Sequence, residues 1–497
     1  MNKKFYITTA IDYVNGPPHI GHALEKIQAD VLARYHRLLG QDVWFLIGTD
    51  ENAQKNILAA EKANMPTFDF IDRNAAMFQN MAKLLNVSNN DFIRTSDEKK
   101  HWPGVVKLWK ECEKSNDIYK KKYHGLYCIG CEAFITKKDL EDGLCPEHLK
   151  KPEKVSEENY FFRLSKYENQ LRDLIKNDVL RIVPEKRKTE ILNLINTGLE
   201  DFSVSRPAER MHGWGVPVPN DKSQRVYVWY DALSNYITAL GYGTENTQSF
   251  GRYWPADIHV IGKGILRFHA LYWPAMLMSA GLEVPKMLFV HDYITVNNRK
   301  MSKTIGNVIN PIHLVDKYGS EPVRYFFLRE ISCFQDGDFS YKKFEERYEA
   351  DLSKGLGNLV SRVLTMAEKT FGQQIIECNF GEIDAGFQQG INDVFKIAKK
   401  KIIEFKFNEV LSLIWTLISY CDQYIDKRRI WEQENHKELK GLLIVLAQIA
   451  VFISIFLPET SKKIFERLGV EDLFKFGIKN SWSFKIKKGE SLFPRLD

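Results

Sequence analysis

The sequence lacks several features by which large protein classes are recognised. It contains no low-complexity tract, no Gly/Ser-rich linker and no GxxxxGK[ST] phosphate-binding loop. Lys3 and Lys4 precede only a short apolar stretch that Asp12 interrupts, so no secretory signal is predicted. The formal net charge of +6 is small for 497 residues, so it permits an RNA partner without requiring one. With 44% hydrophobic residues, the composition predicts a folded protein of about three domains.

Cysteine is scarce, and its seven copies are unevenly placed. An odd number without a secretory signal fits a reducing cytoplasm better than a disulfide framework. Four potential ligands form two knuckles, Cys128-x2-Cys131 and Cys145-x2-His148. Tetrahedral zinc takes such a set, and a closed set indicates a structural site. The sequence therefore predicts one structural Zn²⁺, and unrelated thiols in a lysine-rich segment are the alternative.

Only one long uncharged run occurs, at residues 441–457. It approaches the roughly 18 apolar residues that a membrane span needs. Gln448 and Ser454 interrupt the run, and a charged amphipathic segment follows at once. We therefore favour a central helix that is buried all round, with no membrane contact, over membrane insertion.

The pattern of apolar residues predicts an α/β fold of the Rossmann type, with a parallel sheet. Strand-like runs at residues 5–10 and 43–47 flank a helical pattern, and further runs at 226–229, 259–261 and 287–290 alternate with helical stretches at 232–240 and 266–280. The lysine-rich segment between them carries the cysteine cluster and a helix at 167–177. Beyond residue 344 only helical periodicity is evident, at 345–369, 387–406 and 408–427. The predicted domains are a first catalytic half (1–114), a zinc-knuckle insertion (115–207), a second catalytic half (208–344) and an all-α helix bundle (345–497).

Two short motifs indicate nucleotide chemistry. Pro18-His19-Ile20-Gly21-His22 lies at a strand-to-helix turn, where free N–H groups and the helix dipole attract phosphate. Lys300-Met301-Ser302-Lys303-Thr304 lies far downstream, and its two ammonium groups could follow pyrophosphate charge as it develops. Taken alone, the histidines could be a surface pair.

Together these motifs, HIGH and KMSKT, resemble the HIGH and KMSKS signatures of class I aminoacyl-tRNA synthetases. The resemblance implies catalytic roles for His19, His22, Lys300 and Lys303. It also implies that seven residues contact ATP: His19, Gly21, His22, Lys300, Ser302, Lys303 and Arg206. Arg206 stands where the family has the arginine of its WxISR-like element.

The rest of the chain resembles the methionyl-tRNA synthetases, from about residue 4 to residue 468. The insertion is too small for the editing insertions of the Ile, Val and Leu enzymes, and YCIGCEAF…LCPEH resembles the single-knuckle insertion of one bacterial branch. Matches to the family's first strand, to VWxDA and to IGKDIxxFH imply a methionine pocket formed by Ala10, Ile11, Tyr13, Trp229, Ala232, Tyr236, Ile265 and His269. Judged singly, each aromatic residue could instead be part of the core. Aromatic walls suit a thioether.

Two departures from the family pattern touch the rim of this site. The aspartate of IGKD is Gly264 here, and the family's GTDEHG reads Gly48-Thr49-Asp50-Glu51-Asn52-Ala53. We therefore expect the hydrogen bonding of amino acid and ATP to differ in detail.

In the helical third, Asn358 and Arg362 share a helical face at i and i+4 and resemble the family's anticodon-reading pair. Trp431 resembles the tryptophan that stacks on an anticodon base, although Ile430 replaces the usual proline. An ordinary surface or core role is the alternative for each.

The resemblance implies a cytoplasmic enzyme that activates L-methionine with ATP and Mg²⁺ and charges tRNA(Met), including the initiator. The chain ends soon after the predicted bundle, so we expect a monomer. Two rival hypotheses stay open: a nucleotidyltransferase that acts on a small acid without tRNA, and a zinc-containing RNA-binding protein whose catalytic motifs are relics.

Overall fold

A computed structural model describes residues 3–130, 132–135, 140–146, 150–301, 306–432, 436–470, 476–487 and 489–496. Its centre is a seven-stranded parallel sheet. The strands are Lys4–Thr9, Asp12–Tyr13, Asp42–Asp50, Asp91–Arg94, Arg181–Val183, Ile258–Gly262 and Met287–His291. In space, Lys4–Thr9 lies between Asp42–Asp50 and Ile258–Gly262.

The strands are apolar on both faces because helices cover both sides of the sheet. Phe5 pairs with Val43 and Ile7 with Ile258, and all four side chains are buried. Helix Ile20–Leu38 connects two of the parallel strands. The carboxyl ends of all the strands meet at one edge, which is where open α/β sheets bind ligands.

Helices and short strands surround this sheet. The helices are Gln54–Lys62, Thr67–Leu84, Trp102–Lys114, Val228–Leu233, Asn235–Thr238, Gln248–Tyr253, Trp273–Ser279, Pro311–Tyr318 and Ser320–Glu330, with 3₁₀ turn Lys263–Ile265 and π-helical turn Phe268–Tyr272. A three-stranded sheet contains Ile294–Val296, Arg299–Lys300 and Gly337–Phe339.

The predicted α/β fold with a parallel sheet is confirmed, with one local error. Residues 226–229 were expected to form a strand, but Val228–Leu233 is a helix and the strand is Asp221–Val226. All six residues of that helix are buried, so their aromatic and β-branched character reflects burial rather than strand geometry.

The segment that carries the cysteines folds largely as an antiparallel sheet of four strands, Ile118–Cys128, Ala133–Ile135, Glu153–Phe162 and Phe202–Ser203. 3₁₀ turn Leu164–Tyr167 and helices Glu168–Lys176 and Glu185–Asn196 follow the third strand, and strands Ser205–Pro207, Pro217–Val218 and Asp221–Val226 form a small sheet after the fourth. Arg181–Val183 lies inside the predicted insertion, 115–207, yet it pairs with Met287–His291 in the central sheet. The insertion is therefore not wholly separate from the catalytic sheet, and the domain limits stay predictions.

Most of the chain after residue 340 is helical. The helices are Tyr341–Arg347, the π-helical Tyr348–Gly357, Asn358–Phe371, Ala385–Ile403, Phe407–Arg428, His436–Ile453 and Pro458–Leu468, with short 3₁₀ turns Phe380–Glu382 and Ile430–Glu432. The expectation of an all-α bundle is wrong in one respect, because Ile376–Asn379 pairs antiparallel with Ser481–Phe484. Each strand has only four residues, and about a hundred residues separate them, so neither gave a recognisable sequence pattern.

The long apolar run lies mainly in helix His436–Ile453, whose residues from Gly441 to Ile453 are all buried. Gln448 lies within the run, and its amide donates to the Gly477 carbonyl at 2.8 Å and accepts the Lys479 N–H at 3.2 Å. Of the helices that the structure describes, none is long and apolar enough to cross a membrane.

Candidate active site

His19 and His22 begin helix Ile20–Leu38 at the carboxyl edge of the sheet. The His19 ring accepts the Gly21 N–H at 3.1 Å, and the His22 ring accepts the His19 N–H at 3.1 Å, so the two rings cap the helix reciprocally. Their centroids are 3.6 Å apart in a stacked arrangement. This capping fixes both imidazoles at a helix N-terminus, where an anion binds favourably.

A buried charge network lies behind these rings. Lys26 Nζ is 2.6 Å from Asp12 Oδ2 and 3.0 Å from Glu25 Oε1, while the other Glu25 oxygen is 3.0 Å from His291 Nε2. Burial raises the pKa of the Asp12 carboxyl to about 6, whereas Lys26 and His291 overcome the effect of burial on Glu25 and lower its pKa to about 2. Because Asp12 Oδ1 is 3.9 Å from His22 Nε2, the network reaches the motif.

The second motif begins close to the first. An Asn297-Asn298 turn with positive φ at both residues joins strands Ile294–Val296 and Arg299–Lys300. A β-carbon on Gly21 would lie 3.7 Å from the Met301 methyl group, and the Ile20 N–H donates to the Ile309 carbonyl at 3.1 Å. Lys300 is exposed, and Ser302 and Lys303 lie outside the described residues. The structure thus brings the start of KMSKT to the HIGH turn.

Five of the eight predicted methionine-pocket residues come from segments that meet at the same edge of the sheet. Tyr13 packs edge-on against Trp229 at 6.3 Å, and Trp229 stacks on Phe268 at 3.8 Å. The Tyr236 hydroxyl lies 2.7 Å from His269 Nε2, and His269 Nδ1 lies 2.9 Å from the Ile265 carbonyl. Burial lowers the pKa of His269 to about 4. The ring is therefore neutral near pH 7.

The remaining pocket positions fit the same region. Ala10 and Ala232 are buried, and Ile11 is half-buried. Phe268 was not predicted, although it directly precedes His269 in the matched motif. Its stacking on Trp229 depends on a tertiary contact that the sequence pattern does not specify.

Acidic residues beside the pocket were also missed. Asn52 donates to Asp231 Oδ2 and to the Thr95 carbonyl, both at 2.9 Å, and His101 Nε2 is 3.0 Å from the other Asp231 oxygen. Asp50 is buried, and its Oδ1 has no hydrogen-bond partner in the described part of the chain. Burial, and then Asp231, raise the pKa of Asp50 well above its usual value. A cationic group would relieve this cost.

Arg206 is buried, and its contacts are with residues outside the two motifs. Its guanidinium donates to the Ser203 hydroxyl at 2.8 Å and to the Ser205 carbonyl at 2.6 Å, and it lies over the rings of Phe134 and Tyr227 at 4.6 and 4.2 Å. All of these partners except Tyr227 belong to the insertion. The predicted ATP contact of Arg206 gains no support from this position.

The predicted zinc ligands are only partly within the described residues. Cys128, which ends its strand, and Cys145 are both buried, whereas Cys131 and His148 lie outside the described ranges. Of the residues that are described, no group of three or more His, Cys, Asp or Glu side chains could hold a metal. Zinc binding therefore stays a prediction.

The predicted anticodon residues lie on the surface of the helical region. Arg362 pairs with Asp422 at 3.3 Å and with Asp426 at 2.6 Å, and its guanidinium is 5.9 Å from the Trp431 ring centroid. Trp431 is 45% exposed, and an open cavity of about 370 Å³ is lined by Ser361, Arg362, Thr365, Met366 and Trp431. Asn358 is exposed at the start of helix Asn358–Phe371.

Comparison with known proteins agrees with this architecture. A family model described as tRNA synthetases class I (M) matches residues 5–151 and 137–364. The parallel sheet, with the HIGH turn and the start of KMSKT at its carboxyl edge, is the fold of a class I aminoacyl-tRNA synthetase.

Individual relatives indicate which family within this class the chain resembles. The methionine-tRNA ligase of Caldanaerobacter subterraneus is 42% identical over all of this chain and 80% of its own length, and that of Bacillus subtilis is 40% identical over all of this chain and 78% of its own. A solved structure of Mycobacterium tuberculosis methionyl-tRNA synthetase in complex with methionyl-adenylate has a TM-score of 0.93 at 35% identity, covering 99% of this chain and 100% of that chain. The chain belongs to the methionyl-tRNA synthetase family.

Proposed function

We propose that this site carries out methionine activation and transfer in two steps. A methionine carboxylate oxygen attacks the α-phosphorus of Mg-ATP, which forms methionyl-adenylate and releases pyrophosphate. A ribose hydroxyl of tRNA(Met) then attacks the adenylate carbonyl and releases AMP. The observation that carries the proposal is the approach of Met301 to Gly21, because it brings the start of the second motif to the helix N-terminus that carries the first.

In this mechanism His19 and His22 donate to phosphate oxygens, and Lys300 and Lys303 neutralise the developing pyrophosphate. None of them is a nucleophile, so the rate enhancement comes from orientation and charge stabilisation. Mg²⁺ enters with ATP as part of the substrate. The reciprocal ring capping supports this role, since it holds both imidazoles in place before ATP binds.

The aromatic pocket would take the methionine side chain. Trp229 and Tyr13 offer the faces and edges that a thioether prefers, and neutral His269 with Tyr236 closes the far wall. Asp50, a buried carboxylate in need of a cation, is the candidate partner for the α-amino group. Its position at the carboxyl end of strand Asp42–Asp50 supports this assignment.

The insertion would hold one structural Zn²⁺ through Cys128, Cys131, Cys145 and His148. The two thiols that the structure describes are buried and of the soft type that zinc favours, so the donor set fits. The metal would cross-link the two knuckles. It takes no part in the reaction.

The helical region would read the anticodon of tRNA(Met), including the initiator, by stacking on Trp431 and by hydrogen bonds from Asn358 and Arg362. The exposed Trp431 ring beside an open cavity supports this proposal. A monomeric state and a cytoplasmic location remain proposals based on the sequence.

Pyrophosphate exchange with each of the twenty amino acids tests the proposed function. Exchange is expected with methionine alone, and His22→Ala or Lys303→Ala should lower it by about 10²-fold or more, as for other charge-stabilising groups. Lys286→Ala, which removes an exposed lysine at the opposite end of the sheet, is the matched control. Exchange with another acid in place of methionine would support the nucleotidyltransferase hypothesis, and no exchange with any amino acid would support the hypothesis that the catalytic motifs are relics.

A further inference from the structure

Tyr293 crosses the rim of the site where the family aspartate is missing. It follows the carboxyl end of strand Met287–His291, next to strand Ile258–Gly262. β-Carbons placed on Gly262 and Gly264 would both meet the Tyr293 side chain. The phenol therefore lies over the turn that these two glycines form.

The Tyr293 hydroxyl leaves no room for a side chain at position 264. A β-carbon there would overlap the Tyr293 hydroxyl oxygen, whereas the next nearest atom, the ring Cζ, would be 3.4 Å away. No residue with a side chain fits at position 264 while the hydroxyl keeps its place. Glycine at position 264 therefore allows the phenol to adopt this position. The Tyr293 hydroxyl lies where the β-carbon of an aspartate at position 264 would be.

Hydrogen bonds fix the backbone of Tyr293, and two lysines lie near its ring. The Tyr293 N–H donates to Asp336 Oδ1 at 2.9 Å, and its carbonyl accepts the Gly337 N–H at 2.9 Å. Lys263 Nζ lies 4.6 Å from the ring centroid and 2.6 Å from the same Asp336 oxygen. Lys300 Nζ is 6.0 Å from the same ring centroid. The phenol therefore lies near both the turn at Gly264 and the first lysine of KMSKT.

We propose that the Tyr293 hydroxyl is a nucleotide-recognition group, which hydrogen-bonds a ribose hydroxyl of ATP and of the adenylate. This inference rests on the proposed function. A neutral phenol both donates and accepts, which suits a hydroxyl partner, while the histidines and lysines already serve the phosphates. Tyr293 is then the specificity-determining residue that accompanies glycine at position 264.

A double-mutant cycle tests the arrangement. Tyr293→Phe should raise the KM for ATP in methionine-dependent exchange by about 2- to 12-fold, the value of one hydrogen bond, and leave the KM for methionine within about twofold. Gly264→Ala alone should raise the KM for ATP more than Tyr293→Phe does, because its methyl group displaces the phenol. In Tyr293→Phe the same alanine meets only Cζ, so the double variant should match Tyr293→Phe rather than add to Gly264→Ala.

Deoxy analogues separate recognition from packing. If the phenol bonds a ribose hydroxyl, replacing ATP by either 2′-deoxy-ATP or 3′-deoxy-ATP should raise the nucleotide KM of the wild type as much as Tyr293→Phe raises the KM for ATP. The same replacement should not raise the nucleotide KM of Tyr293→Phe any further. Equal KM values for ATP in the wild type and Tyr293→Phe would overturn the proposal, even if the cycle is non-additive. Calorimetry measures the ATP affinity of the wild type and of Tyr293→Phe without relying on exchange. If the chain showed no methionine-dependent exchange, the proposed function would be refuted, and the role of Tyr293 in ATP binding could still be tested.

Discussion

Burial sets the charge state of single residues in this site, and His269 is the clearest example. Its ring is 2% exposed and lies between the Tyr236 hydroxyl and the Ile265 carbonyl. One of these partners can donate and the other can only accept, so a neutral imidazole satisfies both. Protonation would put a second donor beside the Tyr236 hydroxyl, in a site that cannot solvate a charge.

This arrangement predicts a specific dependence of stability on pH. The pKa of His269 is lowered to about 4 by burial, below its usual 6.5, so the unfolded chain binds the proton more tightly. Stability should therefore fall as the pH drops from 6.5 to 4. The loss from this residue is about 2 kcal/mol at pH 5. His269→Gln should lower the thermal midpoint at pH 7 but reduce its change between pH 7 and pH 5. An equally steep change in the variant would contradict the prediction.

At the scale of elements, the insertion and the central sheet support one another through a helix start. Helix Gln54–Lys62 follows Ala53, which has no side-chain cap, so its first N–H groups need another acceptor. Glu132 supplies it from the insertion, where Oε1 accepts the Lys55 N–H at 2.8 Å and Oε2 accepts the Tyr127 hydroxyl at 2.6 Å. Lys55 Nζ in turn lies 3.0 Å from the centroid of the Tyr13 ring. The insertion thus borders the predicted methionine pocket.

Glu132→Ala should therefore destabilise the start of helix Gln54–Lys62 as well as the insertion. The loss of a charged cap is expected to cost about 1–2 kcal/mol and to speed hydrogen exchange at the Lys55 amide, while Glu132→Gln, which keeps an acceptor, should cost less. Glu158→Ala is the matched control, because that carboxylate is 50% exposed on the same sheet. Unchanged exchange at Lys55 in Glu132→Ala would show that the cap is dispensable.

The sequence predicted elements well where burial imposes a simple pattern. Four strands of the central sheet were predicted because they contain apolar runs, at residues 5–10, 43–47, 259–261 and 287–290, and the long helices have clear periodicity. Strand Asp221–Val226 was missed because it is mostly polar, and helix Val228–Leu233 was misread because full burial removes the helical pattern. In the site, motifs located the histidines and the aromatic pocket. Asp50, Phe268 and Glu132 were not found, since their roles depend on contacts between distant segments.

At the scale of the whole molecule, the helix that begins with the HIGH turn also joins the sheet to the helical region. Asp30, in the middle of this helix, has no exposed side-chain surface and lies 2.7 Å from Arg324 Nη2. Arg324 also donates to the Phe456 carbonyl at 2.8 Å and to the Leu85 carbonyl at 3.0 Å. One guanidinium therefore connects the catalytic helix with the segment that links helices His436–Ile453 and Pro458–Leu468.

Removing this guanidinium should destabilise the whole chain. Arg324→Met leaves the Asp30 carboxylate buried with Arg34 as its remaining ion-pair partner, and orphans two carbonyls, so a loss of about 3–5 kcal/mol is expected. Arg324→Lys should recover only part of it, because an ammonium lacks the planar fork that reaches several acceptors. Asp30→Asn combined with Arg324→Met should cost less than the two single changes added, because the double variant has no buried carboxylate left to lose its Arg324 partner.

Thermal unfolding of these variants checks the prediction, with Arg347→Met as the matched control. Arg347 also pairs with two carboxylates, Glu330 and Asp351, but its side chain is 35% exposed, so its loss should cost about 1 kcal/mol or less. Equal midpoints for Arg324→Met and Arg347→Met would mean that Arg324 does not hold the two regions together. A much lower midpoint for Arg324→Met, accompanied by weaker methionine-dependent exchange, would instead show that packing of the helical region stabilises the helix that positions His19 and His22.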